Sequence, residues 1–230
     1  MKLLTIDTST STCSVALTTG GKLVSEYLLN LEKTLVSRLI RAIETTLDAT
    51  GVGMDDLDGI GVALGPGSFT GLRVGVATAK GLALAAGKPL TGFSSLAMLA
   101  MNLPWSAHPV CPMFDAKKKE VYTALYECRG YPVPIIADCA VSPEEMLKRI
   151  EGPAIFVGEG ALVYRELIID RLGERAMFAP PSADLPRASQ GALLAGAAFS
   201  RGDIIPPAAL VPRYIRASEA ELAKRKRDSA

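Results

Sequence analysis

This sequence is short of the residues that usually do chemistry. It holds one histidine, four cysteines and one tryptophan in 230 residues, and its aromatic content is 6%. The single histidine, His108, sits between Ala107 and Pro109. It cannot supply a metal-binding pair, and nothing near it marks a nucleophile for a Ser-His-Asp or Cys-His arrangement. Cys13, Cys111, Cys128 and Cys139 are scattered, with neither zinc-ligand spacing nor a disulfide-dense pattern. No metal site is expected, and reduced thiols in a cytosolic protein are. An excess charge is also missing: 25 Lys and Arg stand against 24 Asp and Glu, a net charge of +1. No global field therefore draws the chain to nucleic acid or membrane. A protein that gripped RNA alone would need a basic face or stacking aromatics. Long apolar runs are lacking too. The longest small-apolar stretch, Val74 to Gly87, is interrupted by Lys80 and is too short for a bilayer. The first strand begins at Lys2, so neither leader nor membrane anchor is expected.

What the chain does have is glycine in one telling place. Gly61-Val62-Ala63-Leu64-Gly65-Pro66-Gly67-Ser68-Phe69-Thr70-Gly71-Leu72-Arg73-Val74-Gly75 reads as an apolar strand, a glycine turn and a helix start. Gly65 and Gly67 let the backbone turn sharply around Pro66, and Ser68 or Thr70 can cap the helix. Such a turn is either a tight connection or an anion site, because free N–H groups point outward at a helix N-terminus. It is neither a Walker A loop nor the dinucleotide fingerprint, whose residues fall in a different order.

Periodicity organises the rest. Residues 2–7, 12–18 and 22–29 read as strands, with Gly20-Gly21 as a hairpin turn. Residues 32–50 read as an amphipathic helix, with Val36, Ile40, Ile43 and Leu47 on one stripe and Leu35, Leu39 and Ala42 beside it. Strand 59–64, helix 69–87, strand 89–93 and helix 94–103 follow. The order βββαβαβα pairs an antiparallel meander with parallel strands joined by helical crossovers. That is the pattern of a ribonuclease H-like lobe of the actin, hexokinase and Hsp70 superfamily. Pro104 and Pro109 punctuate the boundary to a smaller second lobe, giving units 1–103 and 104–216. In the second, strands are expected at 110–115, 119–127 and 154–158, and helices at 142–150, 161–172 and 188–200. It reads as a degenerate copy of the first. The tail 217–230 is charged and is expected to fray or to pack as a helix on the first lobe.

Helix 69–87 carries two rows of small residues, Gly71-Gly75-Ala79 and Ala77-Gly81-Ala85. Glycine inside a helix costs about 1 kcal/mol relative to alanine, so close packing is the expected reason. Either both rows pack within the lobe, or one packs inside and the other faces a partner helix. Lys117-Lys118-Lys119 falls in a hairpin turn and Lys224-Arg225-Lys226-Arg227 in the tail; such runs are usually solvated. Asp7 ends the first strand before a Thr/Ser turn. It either helps hold a metal–nucleotide or caps its own turn through Asx bonds.

The segment GPGSFTGLRVG resembles the signature of the TsaB (YeaZ) family. The likeness extends along nearly the whole chain: Leu4-Thr5-Ile6-Asp7-Thr8-Ser9, Cys13 to Leu17, Asp115-Ala116-Lys117 with Glu120-Val121-Tyr122, Val157-Gly158-Glu159-Gly160, and Pro212-Arg213-Tyr214-Ile215-Arg216. Leu35 departs from it, since relatives often carry histidine there. The resemblance implies a two-lobed α/β protein of the actin-like/Hsp70-like (ASKHA) fold, each lobe ribonuclease H-like. It implies a non-catalytic cytoplasmic scaffold that activates TsaD for threonylcarbamoyl transfer to tRNA, with TsaC making the threonylcarbamoyl-AMP donor and TsaE as a further partner. The docking surface would lie on the two long helices, at Leu35, Leu39, Gly71, Val74, Gly75 and Thr78, and would pair with a second copy when TsaD is absent. Contact with tRNA would be indirect, with a weak, salt-sensitive contribution from the basic tail. A vestigial nucleotide site would comprise Asp7, Thr8, Ser9, Gly158 and Gly160, with no resident cofactor beyond a nucleotide at the complex interface. The alternative is an active actin-like ATPase or kinase using Asp7 and the glycine turn.

Overall fold

A computed structural model describes residues 1–30 and 35–216, with the side chains of 35–37 excepted. The chain builds two five-stranded sheets. The first contains β1 (Lys2–Asp7), β2 (Thr12–Thr19), β3 (Lys22–Asn30), β4 (Gly59–Gly65) and β5 (Leu90–Ser94), in the order β3-β2-β1-β4-β5. β1, β2 and β3 form the antiparallel meander, while β4 and β5 run parallel to β1. The parallel strands need crossovers, which are α1 (Leu35–Asp48) and α2 (Phe69–Ala86). The second sheet repeats the plan. β6 (Val110–Lys117), β7 (Glu120–Cys128) and β8 (Pro132–Val141) make its meander; β9 (Ala154–Val157) and β10 (Ala176–Phe178) complete the order β10-β9-β6-β7-β8. Its crossovers are α4 (Pro143–Lys148), α5 (Glu159–Val163) and α6 (Arg165–Leu172).

Strand alternation sets what each face buries. Leu4 and Ile6 of β1, Val15 and Leu17 of β2, and Ile60 and Val62 of β4 face α1 and α2, where Leu39, Ile43, Val76 and Ala79 meet them. The opposite face takes Leu3, Ala63 and Phe93 against a late helix, α7 (Ala188–Arg201). The short helix α3 (Ser95–Ala100) follows β5 in sequence but packs Leu96 and Leu99 on the second sheet. α3 also sets Met98 in one core cluster with Phe93 of β5 and Ala195 of α7, so it is shared between the halves, and α7 comes back to the first.

That return differs from the expected grouping of 188–216 with the second lobe. α7 lies on the first sheet because β4 offers it a smooth floor. A Cβ on Gly61 would stand 2.7 Å from that of Ala195, and one on Gly59 2.6 Å from the Phe199 ring. Glu26 of β3 anchors the helix start. Its carboxylate accepts from the Ser189 amide and from Arg187 Nε and Nη2 at 2.6–3.0 Å, and Ser14 Oγ accepts from the Ala188 amide. Beyond α7 the chain stays there: Ile205 donates to the Leu90 carbonyl, Leu210 is buried, and Arg213 donates to the Leu64 carbonyl.

Two strands, β8 and β10, escaped the sequence reading. Pro132 and Pro134 argue against a central strand, and β8 is an edge strand, where proline is tolerated. Helix 161–172 is two helices, broken at Tyr164. The tail 217–230 lies outside the described residues. Among those described, no helix is long and apolar enough to cross a membrane.

Candidate functional site

Two regions gather the residues singled out in the sequence: a cleft between the sheets and the outer face of α1 and α2. The cleft encloses about 680 Å³, and its lining includes Ser9, Thr10, Ser68, Phe69, Asp115, Lys117, Tyr122, Glu159 and Arg216. Its walls show the internal repeat at atomic detail. Asp7, at the end of β1, accepts the Ser9 amide at 3.0 Å; Asp115, near the end of β6, accepts the Lys117 amide at 2.9 Å. Both are Asx turns, placed alike on the central strand of each sheet.

Of the five residues in the vestigial nucleotide set, only Ser9 lines the cleft. Asp7 is fully buried, and burial pushes its carboxyl up to about 6 against the opposing hydrogen bonds from Ser9. Its Oδ2, with Ser9 Oγ and Thr12 Oγ1, has no hydrogen-bond partner among the described residues. Thr8 is buried, and its hydroxyl donates to the Gly71 carbonyl at 2.7 Å. Gly158 donates its amide to Asp184 at 2.8 Å, and Gly160 packs against the β6 backbone at Met113 and Phe114. The amide and hydroxyl that would hold phosphate are thus used within the fold. Two carboxylates, Asp115 and Glu159, also face the cleft. Burial raises the Glu159 carboxyl, which the nearby Lys117 partly offsets.

The glycine turn ties the start of α2 to the turn between β1 and β2. The Ser68 amide donates to the Ser9 carbonyl at 2.7 Å, and Ser68 Oγ caps α2 by accepting from the Gly71 amide. The thiols offer no nucleophile: burial pushes Cys13 and Cys128 up to about 11 and Cys111 up to about 12.

On the helices, three of the residues expected at a docking surface are internal. Leu39 is wholly buried in the core of the first sheet. Gly71 and Gly75 are buried against Thr8, and a Cβ on either would overlap its carbonyl oxygen or hydroxyl. They are glycines because the β1–β2 turn presses onto α2 there. Val74 and Thr78 are half-buried, and Leu35 opens α1 with its side chain outside the described part. The exposed row is the other one: Ala77, Gly81 and Ala85, with Arg73 and Leu84 beside it and Ile40 exposed on α1. A signal for this existed. Leu72, Val76, Ala79 and Ala83 form the apolar stripe of α2, which places Gly75 inside and Ala77 and Gly81 outside.

Two sheets of one topology around a cleft, each covered on both faces, define the actin-like (ASKHA) class of fold. Comparison with known proteins narrows it. A family model described as tRNA N6-adenosine threonylcarbamoyltransferase, TsaD, matches residues 28–224. The tRNA threonylcarbamoyladenosine biosynthesis protein TsaB of Bacillus subtilis is 35% identical, over 96% of this chain and 96% of its own. The structure of YeaZ from Pseudomonas aeruginosa superposes with a TM-score of 0.80 at 30% identity, covering 93% of this chain and 99% of that one. The component A of (R)-2-hydroxyglutaryl-CoA dehydratase from Acidaminococcus fermentans, at 13% identity, shares the fold alone, with a TM-score of 0.52 over 84% of this chain and 97% of that one. The chain belongs to the TsaB (YeaZ) family, which is built on the same fold as the threonylcarbamoyltransferase.

Proposed function

We propose that this chain acts in tRNA threonylcarbamoyladenosine biosynthesis as the non-catalytic, cytoplasmic subunit that docks on TsaD and holds it in a competent shape. The relatives' names support the pathway. The observation that carries the docking role is the exposed small-residue row of α2, Ala77-Gly81-Ala85, with Leu84 exposed on the same helix and Ile40 exposed on α1. A helix rarely spends glycine on solvent, and small residues let a partner helix come within the shorter range of the usual 8–10 Å spacing. Val74 and Thr78 form the rim of this face, while Leu39, Gly71 and Gly75 support it from within. The same face would pair with a second copy when TsaD is absent, and TsaE would join the assembled pair. The first lobe, built on the sheet within residues 1–103 and joined by α7, carries the docking helices; the second, built on the sheet from residue 110, closes the cleft. The cleft holds no cofactor of its own in this reading, a nucleotide being bound only where the complex completes the site. An ATPase or kinase role finds little footing, because Thr8 and Gly158 have spent the groups that phosphate would need.

Gly81→Arg tests the reading. A Cβ on Gly81 meets nothing within 4 Å, so the variant should fold and melt at or slightly above the parent temperature, having lost a helix glycine worth about 1 kcal/mol. It should fail to co-elute with TsaD and fail to support tRNA modification by the purified components. Normal TsaD binding by the folded variant would move the interface elsewhere.

A further inference from the structure

The turn between β6 and β7 is built against its own sequence. Lys117 pairs with Glu120, leaving Lys118 and Lys119 as a two-residue hairpin loop. Such loops require positive φ at both central residues and select Asn-Gly or Asp-Gly. Here Lys117, Lys118 and Lys119 take φ of 61°, 55° and 62° in succession. Side chains with a β-carbon are disfavoured in that region, lysine as much as any, while asparagine and glycine enter it readily. All three side chains are exposed, so no burial offsets the cost. Asp115 pins the turn from below, accepting from the Lys117 amide at 2.9 Å and from its Nζ at 2.7 Å. Lys117 lines the same cleft as Ser68 and Phe69, where α2 begins. The turn therefore stands at the N-terminal end of the proposed docking helix. A chain with a net charge of +1 has concentrated three cations at one rigid tip, in a backbone those residues do not favour.

We infer that the Lys117–Lys119 turn is a phosphate-contacting tip that grips the RNA backbone of the tRNA brought by the docked transferase. This rests on the docking role proposed above, which would bring a tRNA-modifying partner against α2, at whose N-terminal end the turn stands. Lysines at a rigid turn meet phosphates as point charges and carry no base specificity, so the contact adds affinity without sequence preference.

The test uses the full chain in complex with TsaD and an unmodified tRNA transcript, with binding followed by fluorescence anisotropy from 50 to 200 mM salt. Lys118→Asn/Lys119→Asn removes two charges and keeps a backbone at home in the turn; Lys118→Gly/Lys119→Gly repeats the removal without any β-carbon. Both should weaken tRNA binding several-fold at low salt and flatten the plot of log Kd against log salt by about 1.4–1.8. TsaD affinity should stay unchanged, and the melting temperature should hold or rise, since Asn and Gly fit the positive φ of the turn. Lys148→Asn/Arg171→Asn, on a separate pocket at the ends of α4 and α6, removes the same charge and should leave the slope alone. An unchanged slope in the turn variants, or an equal loss in the control pair, overturns the inference. So does loss of TsaD binding without RNA, which would make the turn a protein contact. A parent chain that does not bind TsaD at all overturns the docking role itself, and this inference with it.

Discussion

The two sheets share one topology and differ in what crosses them. In the first, the crossovers are α1, of 14 residues, and α2, of 18. In the second they are α4, of 6, and the broken pair α5 and α6, of 5 and 8. At about 1.5 Å per residue, α2 spans about 27 Å and α6 about 12 Å. A long helix can bury one stripe and still present a second continuous row. A helix of one or two turns has no length for a second continuous row: Met146 and Leu147 of α4 and Ile168 and Leu172 of α6 are buried, and the exposed Leu162, Val163 and Ile169 are split between α5 and α6. One fold, used twice, thus yields long crossover helices in one lobe and short, broken ones in the other. The loops follow the same division. After β4 the glycine turn locks α2 to the β1–β2 turn; after β9 Gly158 and Gly160 lock α5 to β6. Each lobe thus uses a glycine-bearing loop as an internal brace.

The sharpest way to break this comparison is to set the buried row of α2 against the exposed one. Gly75→Arg should abolish the fold, at a cost of roughly 4 kcal/mol or more, because the new side chain would have to displace Thr8 and the turn that carries it. Circular dichroism and gel filtration of the expressed protein would report it. A folded Gly75→Arg variant with a parent-like melting temperature would mean that α2 faces the other way.

Glu26→Ala asks how far the first lobe depends on the chain that returns from the second. It strips the Ser189 amide and Arg187 of their acceptor. Glu26 is 6% exposed, whereas Arg187 is 43% exposed and can rehydrate. The expected loss is roughly 2–3 kcal/mol in urea unfolding, and a loss under half that would show that packing alone seats α7.

The matched aspartates provide the two smaller effects. Asp7 is held at about 6 in the folded chain against an ordinary 3.8. Between those pH values the folded protein keeps a proton that the unfolded chain has lost. Stability therefore falls as pH rises from 3.8 to about 6 and stays low above it. Asp7→Asn should raise stability at pH 7.5 by roughly 2–3 kcal/mol and flatten that decline. Equal melting temperatures at pH 7.5 would show that the ionised carboxylate is satisfied after all. Asp115→Asn, at the equivalent place in the second sheet, removes an ion pair whose lysine is 81% exposed. Its effect should stay within about 1 kcal/mol and fade in high salt. A larger change would mean that the Lys117–Lys119 turn stabilises the second lobe as a whole.

Much of this molecule was legible before any coordinates. The alternation in 2–7 and 12–18, the helical stripe in 32–50 and the Gly-Pro-Gly turn are local signals, and the strands and crossovers of the first lobe followed from them; the family followed from the resemblance of GPGSFTGLRVG and the shorter motifs. The second lobe read only as a degenerate copy of the first, with no repeat visible in the residues themselves, because β8 and β10 went unread. What the sequence could not decide was which neighbour each surface would meet. Nothing local wedges α3 between the two sheets or returns α7 to the first. That depends on Gly59 and Gly61 lying under Ala195 and Phe199, residues more than a hundred positions apart. Nor could two rows of small residues on one helix say which was inside. Thr8 decided that by pressing on Gly71 and Gly75, and the row left outside, Ala77-Gly81-Ala85, became the surface. Periodicity along a chain fixes which residues share a face; only close packing between distant segments fixes whether that face is buried or offered.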